Sequence, residues 1–408
     1  MKVLTGETGS HDFSLDELAY SYLDYSTHLT SDEYIFFSKL EVLKNLPLLF
    51  SLAKILADRL APDVTHICLL ASSGMALGVS VALAAKRPLL FYRPEGWPKP
   101  EAHGLGPRFM PKIPPNAKIA LVDSHEHTRY TSALCFDELL PMGIQVVQLL
   151  TPISFEDCID PNWTRNMQYT VLAGYSSLHP NLFMKYSNVV TSDELKEIIC
   201  ANNNRFWLAP PIIRQDDPYY EFEAPGIRER PNWFLGKAPK DYQFEMTNTP
   251  LGKLVKNKVI PTDEGRWSFF LDPIFVEEWA RSTGKIINLG EYDYLIGTSH
   301  LGTALAIALA YYNFEEFHGR ILFHLGREGF VPPAPSLSGK KVLPIEMIIT
   351  TGVYAVDVYL RVLQLGGRID KYITVFQIPG SSRGWTQSRL ASISRLRENG
   401  VRFISLTP

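Results

Sequence analysis

Two stretches hold the residues best placed to do chemistry. Lys118–Thr131 reads KIALVDSHEHTRYT and Lys340–Tyr354 reads KKVLPIEMIITTGVY. Each opens on lysine, runs through apolar residues to an acid, Asp123 or Glu346, and passes a loop before a helical pattern, 132–140 or 355–364. Thr128 and Thr131 follow the first acid, and Thr350, Thr351 and Gly352 follow the second. A strand that ends in an acid and turns into a helix gathers loop amides and hydroxyls at the helix N-terminus, where the backbone dipole favours a phosphate. A lone acid there can instead cap the helix.

The elements that must position these loops come from the hydrophobic pattern. Leu46–Leu60 has helical spacing, Thr65–Leu70 reads as a strand, and Ala71-Ser72-Ser73-Gly74 is a turn. Met75–Ala85 is small and apolar, the pattern of a buried helix, and Pro88–Tyr92 is the next strand. Strands alternating with helices imply an α/β fold with mostly parallel sheets covered on both faces. From about residue 246 the first half repeats at an offset of roughly 220–235 residues, which signals a duplicated domain. Asp293–Gly302 echoes the strand and turn ending at Gly74, Thr303–Tyr311 the buried helix, and Ile321–Gly329 the segment Leu89–Gly96. Asp263–Phe270 echoes Ser31–Phe37, where Tyr34–Phe37 reads as a buried strand or its edge. The tail adds a strand over 372–378, a helix over 386–399 and a strand over 401–406. Between about 153 and 245 the patterning weakens, with one short helix over 192–200. The expected organisation is one α/β domain over 1–160, an irregular connecting region or small subdomain over 161–245, and a second α/β domain over 246–408.

The two stretches resemble the ribose-phosphate signature of type I phosphoribosyltransferases, an apolar run with two acids followed by Thr-Gly and Thr before a helix. The resemblance covers about 1–160 and 246–408 and is closest to the orotate enzymes. It implies that Asp123 and Glu346 contact ribose hydroxyls while the loops hold the 5-phosphate of phosphoribosyl pyrophosphate. Both copies depart from the family. Ser124 and Met347 replace the second acid, Arg129 stands at the usual glycine, and Tyr354 replaces the last threonine. In the family the paired acids support an oxocarbenium-like transition state and bridge to magnesium, so the loss of one is expected to cost roughly 10²-fold or more in rate. Ser72, Ser73 and Gly74, and Thr298 and Ser299 after Gly297, fall where the family binds pyrophosphate; an ordinary tight turn is the other reading. The Pro/Gly-rich loop 93–115 is long for its position, hence functional or mobile. Its Arg93, Lys99 and His103-Gly104 resemble the loop that closes over pyrophosphate in orotate enzymes, against the alternative of a solvated surface loop. Arg327 falls at the corresponding place in the second copy, where Val331–Pro335 supplies no comparable lysine and histidine. Asp123, Lys99, His103 and Glu346 are therefore the expected catalytic residues. The second copy suits phosphate holding and the first cationic closure.

Composition bounds the rest. The formal net charge of −3 over 408 residues argues against a surface built wholly for nucleic acid. The run 383–397 carries Arg383, Arg389, Arg395 and Arg397; the last three read most simply as a solvated helix face, with a nucleic-acid contact as the other reading. Cys68, Cys135, Cys158 and Cys200 lack metal-site spacing; the first two read as buried thiols, and the pattern suits a reducing cytoplasm. No signal peptide and no membrane span is expected. The expectation is a divergent phosphoribosyltransferase-like protein binding phosphoribosyl pyrophosphate or a related nucleotide, with or without ribosyl transfer. Magnesium enters only with such a ligand, and a homo-oligomer or protein complex is the expected assembly. The alternatives are a non-catalytic nucleotide sensor and an effector subunit of a bacterial anti-phage, retron-type defence complex.

Overall fold

The computed structural model describes residues 2–4, 10–12, 27–29, 35–37, 41–70, 74–92, 109–126, 129–154, 167–174, 245–246, 269–324, 330–331, 336–349, 352–377 and 392–405. Two compact units divide the chain, Met1–Asn203 with Trp267–Glu277, and Asn204–Arg266 with Glu278–Pro408.

Four short strands come first, β1 (Lys2–Leu4), β2 (Ser10–Asp12), β3 (Thr27–Leu29) and β4 (Ile35–Phe37), forming two antiparallel pairs. A 3₁₀ turn, Glu41–Lys44, leads into α1 (Leu46–Ala57), whose first turn is capped by Asn45 accepting from the Leu48 amide at 3.2 Å. The sheet strands of this unit are β5 (His66–Leu70), β6 (Leu89–Tyr92), β7 (Phe109–Met110), β8 (Lys118–Val122), β9 (Gln145–Ser154) and β10 (Gln168–Gly174), with α2 (Met75–Ala85) after β5 and α3 (Tyr130–Leu139) after β8. Their order is β10-β9-β8-β5-β6-β7, parallel except for β7 on β6. The sequence produces this directly. Ile67–Leu70 and Ile119–Val122 are buried throughout, as strands covered on both faces must be. Met75–Leu83 is apolar or small on every side and buried on every side.

The second unit uses the same plan. Its short strand β11 (Glu245–Met246) is followed in the chain by a 3₁₀ turn at Phe269–Leu271 and α4 (Pro273–Ile287), capped by Asp272 accepting from the Phe275 amide at 3.0 Å; the turn and α4 as far as Glu277 group with the first unit, the rest of α4 with the second. Then come β12 (Tyr294–Gly297), α5 (His300–Tyr312), β13 (Arg320–His324), β14 (Phe330–Val331), β15 (Val342–Ile349), α6 (Val353–Gln364), β16 (Lys371–Gln377), a helix over 392–398 and β17 (Arg402–Ser405). The order β11-β17-β16-β15-β12-β13-β14 repeats that of the first sheet with one strand added, again parallel except at β14. Both units are thus mostly parallel sheets flanked by helices.

Three expectations are corrected. The segment 269–271 is the counterpart of the turn Glu41–Lys44, not of the strand at 35–37, because each turn leads into the helix before the first core strand. The stretch 93–115 is not loop throughout: Phe109 and Met110 return to pair with Tyr92 and Phe91, as Phe330 and Val331 do with His324 and Phe323. A seven-residue strand, β10, lies in the weakly patterned stretch beyond residue 160 and joins the first sheet. The helix expected over 192–200 lies outside the described residues.

Candidate functional site

In the first sheet the chain moves from β5 out to β6, then returns on the other side of β5 with β8. The order reverses between β5 and β8, and in the second unit between β12 and β15. Open parallel sheets bind ligands beyond the C-terminal ends of the strands at this reversal, because the two following loops diverge and leave a crevice. Asp123 follows the last residue of β8; Glu346 is in register one residue past the end of β12 but, against the expectation of a strand ending in the acid, lies inside β15, which runs on to Ile349.

The pairing registers make the two places equivalent residue by residue. Leu69 lies opposite Val122 and Gly297 opposite Ile345; Val122 also faces Leu150 and Ile345 faces Ile373. The acids are the next residues. Gly74 and Gly302, each five residues beyond Leu69 or Gly297, press against the carbonyls in front of the acids. A Cβ on Gly74 would stand 2.6 Å from the Val122 oxygen and one on Gly302 2.5 Å from the Ile345 oxygen. Seven residues beyond Val122 and Ile345 are Arg129 and Gly352. Both are helix N-caps in the left-handed region, at φ 59° and 76°. That conformation suits glycine, and an arginine held there is strained.

The first crevice is filled with polar contacts. The Ser124 amide donates to Asp123 Oδ1 at 2.7 Å, and the Asp123 amide donates to the Leu150 carbonyl at 3.2 Å. Ser124 Oγ lies 3.0 Å from His125 Nδ1. Glu126, absent from the sequence-based site, is 3% exposed. Arg129 Nε donates to its Oε2 at 2.5 Å and Ser132 Oγ to its Oε1 at 3.3 Å. The Arg129 guanidinium lies 4.2 Å over the Tyr169 ring. Burial pushes the Glu126 carboxyl up to about 7, against the opposing pull of Arg129.

The second crevice is built differently. Tyr372, fully buried, donates its hydroxyl to Glu346 Oε2 at 3.0 Å. Thr298 Oγ1 donates to the Ile345 carbonyl at 3.2 Å and helps hold Glu346. Burial raises Glu346 to about 7, with the Tyr372 and Thr298 hydrogen bonds pulling the other way. Burial and the neighbouring Glu346 charge push the Tyr372 phenol well above its ordinary value. Tyr372→Phe should therefore move the Glu346 midpoint further above 7, readable by carboxyl-selective NMR titration; a midpoint at or below 7 would show that the phenol is not its stabilising donor. At the end of β13, buried His324 Nε2 lies 2.9 Å from Asp357 Oδ2. Burial would raise Asp357, but His324 and Arg361 outweigh it and hold the carboxyl below its ordinary value.

The other sequence-predicted residues fall as follows. Ser299 caps α5, its Oγ accepting from the Gly302 amide at 3.0 Å. Thr131 is half-buried in the first turn of α3. Ser124 and Met347, at the second-acid positions, are 1% and 2% exposed, so an acid at either would be a buried charge beside an already crowded acid. Cys68 and Cys135 are buried free thiols. Ser72, Ser73, Arg93, Lys99, His103, Thr128, Arg327, Thr350 and Thr351 lie outside the described residues, as do Arg383 and Arg389. Among the described residues no group of three or more His, Cys, Asp or Glu side chains is placed to hold a metal, and no helix is long and apolar enough to cross a membrane.

No family model and no curated protein matches the chain. Solved structures do. This chain is similar in part to phosphoribosyltransferases. An orotate phosphoribosyltransferase from Aeropyrum pernix matches at 16% identity and a TM-score of 0.32, over 42% of this chain and 99% of that one. The Leishmania donovani UMP synthase matches at 14% and 0.32, over 47% of this chain; the chain spans 43% of that protein's length. A Mycobacterium tuberculosis orotate phosphoribosyltransferase, solved with 5-phospho-α-D-ribosyl 1-diphosphate, matches at 19% and 0.27, over 38% and 86%.

Proposed function

We propose that the chain binds a sugar phosphate of the phosphoribosyl pyrophosphate or nucleotide class at the sheet reversal, with an acid on the ribose hydroxyls and the following helix N-terminus toward the 5-phosphate. The observation that carries this is the repeated geometry: Asp123 and Glu346 occupy the same register position, one residue past a carbonyl packed on a glycine, in front of a left-handed residue that starts a helix. Small residues and a left-handed turn at that point let loop amides approach phosphate oxygens. Magnesium would arrive on the ligand's diphosphate.

Binding is favoured over rapid ribosyl transfer. A carboxyl raised to about 7 is only half ionised at neutral pH, which suits hydrogen bonding to a hydroxyl more than stabilising a developing cation. The second-acid positions are buried and carry serine and methionine, so neither crevice has two adjacent carboxylates at the positions where the family pairs them. Titration calorimetry with phosphoribosyl pyrophosphate and magnesium tests the reading. The double variant Asp123→Asn/Glu346→Gln should lose at least tenfold in affinity, the order expected for a lost charge-assisted hydrogen bond. Unchanged affinity in a variant with an unchanged melting temperature would sink it.

A further inference from the structure

The two crevices differ in one concerted way. At the register positions of Glu126, Arg129 and Ser132 the second unit has Ile349, Gly352 and Ala355. Glu126 bridges to Ser154, four residues beyond Leu150, just as Ile349 pairs with Gln377, four beyond Ile373. None of the three replacement residues has a side chain that can donate to or carry a carboxylate. The acid, its cation and its hydroxyl donor are present together in one unit and missing together in the other.

In the first unit the carboxylate sits at the start of α3. Arg129 at the N-cap and Ser132 at the third helical position each hold one of its oxygens. That is the place a bound anion takes at a helix N-terminus. Arg129 is anchored there rather than reaching out, since its guanidinium also lies over the Tyr169 ring. The chain accepts a left-handed φ at a non-glycine residue to keep this arrangement. In the second unit Gly352 takes the same turn without a side chain, and Ile349 is 1% exposed.

We propose that Glu126 is a resident anion that fills the phosphate position of the first unit, so that the chain takes its sugar-phosphate ligand in the second unit alone. This rests on the sugar-phosphate reading above and adds which crevice is open. A second anion brought beside Glu126 would meet like charge in a buried setting, with Arg129 and Ser132 already engaged.

The test is calorimetry on the full chain with phosphoribosyl pyrophosphate and magnesium at pH 8. One site per chain is expected. Gly352→Arg, which places the first unit's residue in the second, should abolish it. The triple variant Glu126→Ile/Arg129→Gly/Ser132→Ala should raise the count to two. Near-UV circular dichroism establishes that each variant is folded; if Gly352→Arg is not, the triple variant decides. Two sites in the unaltered chain, a site that survives in folded Gly352→Arg, or a triple variant with the count still at one would overturn the inference and leave the binding reading standing. No binding to the unaltered chain would overturn that reading and this inference with it.

Discussion

Glu126→Gln should flatten the pH dependence of the first unit's stability, removing a loss of about 2–3 kcal/mol between pH 5 and pH 8. The sign follows from the direction of the shift. The Glu126 carboxyl titrates near 4.5 when the chain is unfolded and near 7 in the fold. Between those values the folded state holds more protons than the unfolded one, so stability falls as pH rises. The fall begins near 4.5 and is nearly complete above 7, where both states are ionised. Arg129 does not reverse this, because burial outweighs its attraction; it limits how far the carboxyl is raised. Arg129→Met should therefore leave Glu126 protonated at higher pH rather than strand a naked charge. Its extra cost should grow by roughly 1 kcal/mol per pH unit above 7. Amide-exchange protection along α3, measured from pH 5 to 8, reads the opening of this unit directly. A Glu126→Gln profile parallel to that of the unaltered chain would show that Glu126 is not raised by burial.

What the sequence reveals and conceals divides along physical lines. Strands β5, β8, β12 and β15 are visible because burial on both faces leaves apolar runs in them, Ile67–Leu70, Ile119–Val122, Tyr294–Ile296 and Val342–Ile345. Helices α2 and α5 are visible because wholly buried helices keep small apolar residues on every side. Strand β10 is hidden because among the described residues it pairs with β9 alone and its described side chains are half-buried or exposed, so neither alternation nor a solid apolar run marks it. Asp123 is legible because it follows an apolar run that is a strand in the fold, whereas the run before Glu346 hides the strand's true end at Ile349. Glu126 is not legible: a polar residue in a polar loop carries no pattern, and its burial comes from Arg129, Ser132 and the neighbouring strands. The signal for it lies in comparing the halves. Aligning Val122 with Ile345 sets Glu126 against Ile349 and Arg129 against Gly352, a charge pair exchanged for two residues without charge. Tyr372 and His324 stay hidden for the opposite reason, since KYITVFQ and RILFH read as strands whatever their polar atoms do.

Gly302→Ala should cost roughly 2–4 kcal/mol, overpacking against backbone that cannot rotate away, and should weaken ligand binding by more than tenfold. The new methyl would stand 2.5 Å from the Ile345 carbonyl oxygen and 3.5 Å from the Glu346 Cα. Either α5 moves out or the end of β15 moves aside, and β15 carries the acid. The Ile345 carbonyl also accepts from the Thr298 amide at 3.1 Å and from its hydroxyl at 3.2 Å, so displacing it breaks the bonds that join β12 to β15 at the reversal. Glu346 would then lose its alignment with Tyr372, and its midpoint should move from about 7 along with the affinity. Gly74→Ala should destabilise the first unit similarly, with the Val122 and Leu70 oxygens at 2.6 and 2.7 Å. It should leave the second unit's binding intact. Gly143→Ala is the control, for it meets nothing within 4 Å and pays only for its φ of 71°, about 1 kcal/mol. Melting temperature and calorimetric affinity measured together separate the outcomes. If Gly302→Ala lowers the melting temperature but binds ligand as tightly as the unaltered chain, the glycine serves packing alone and the acid beside it is not held for a ligand.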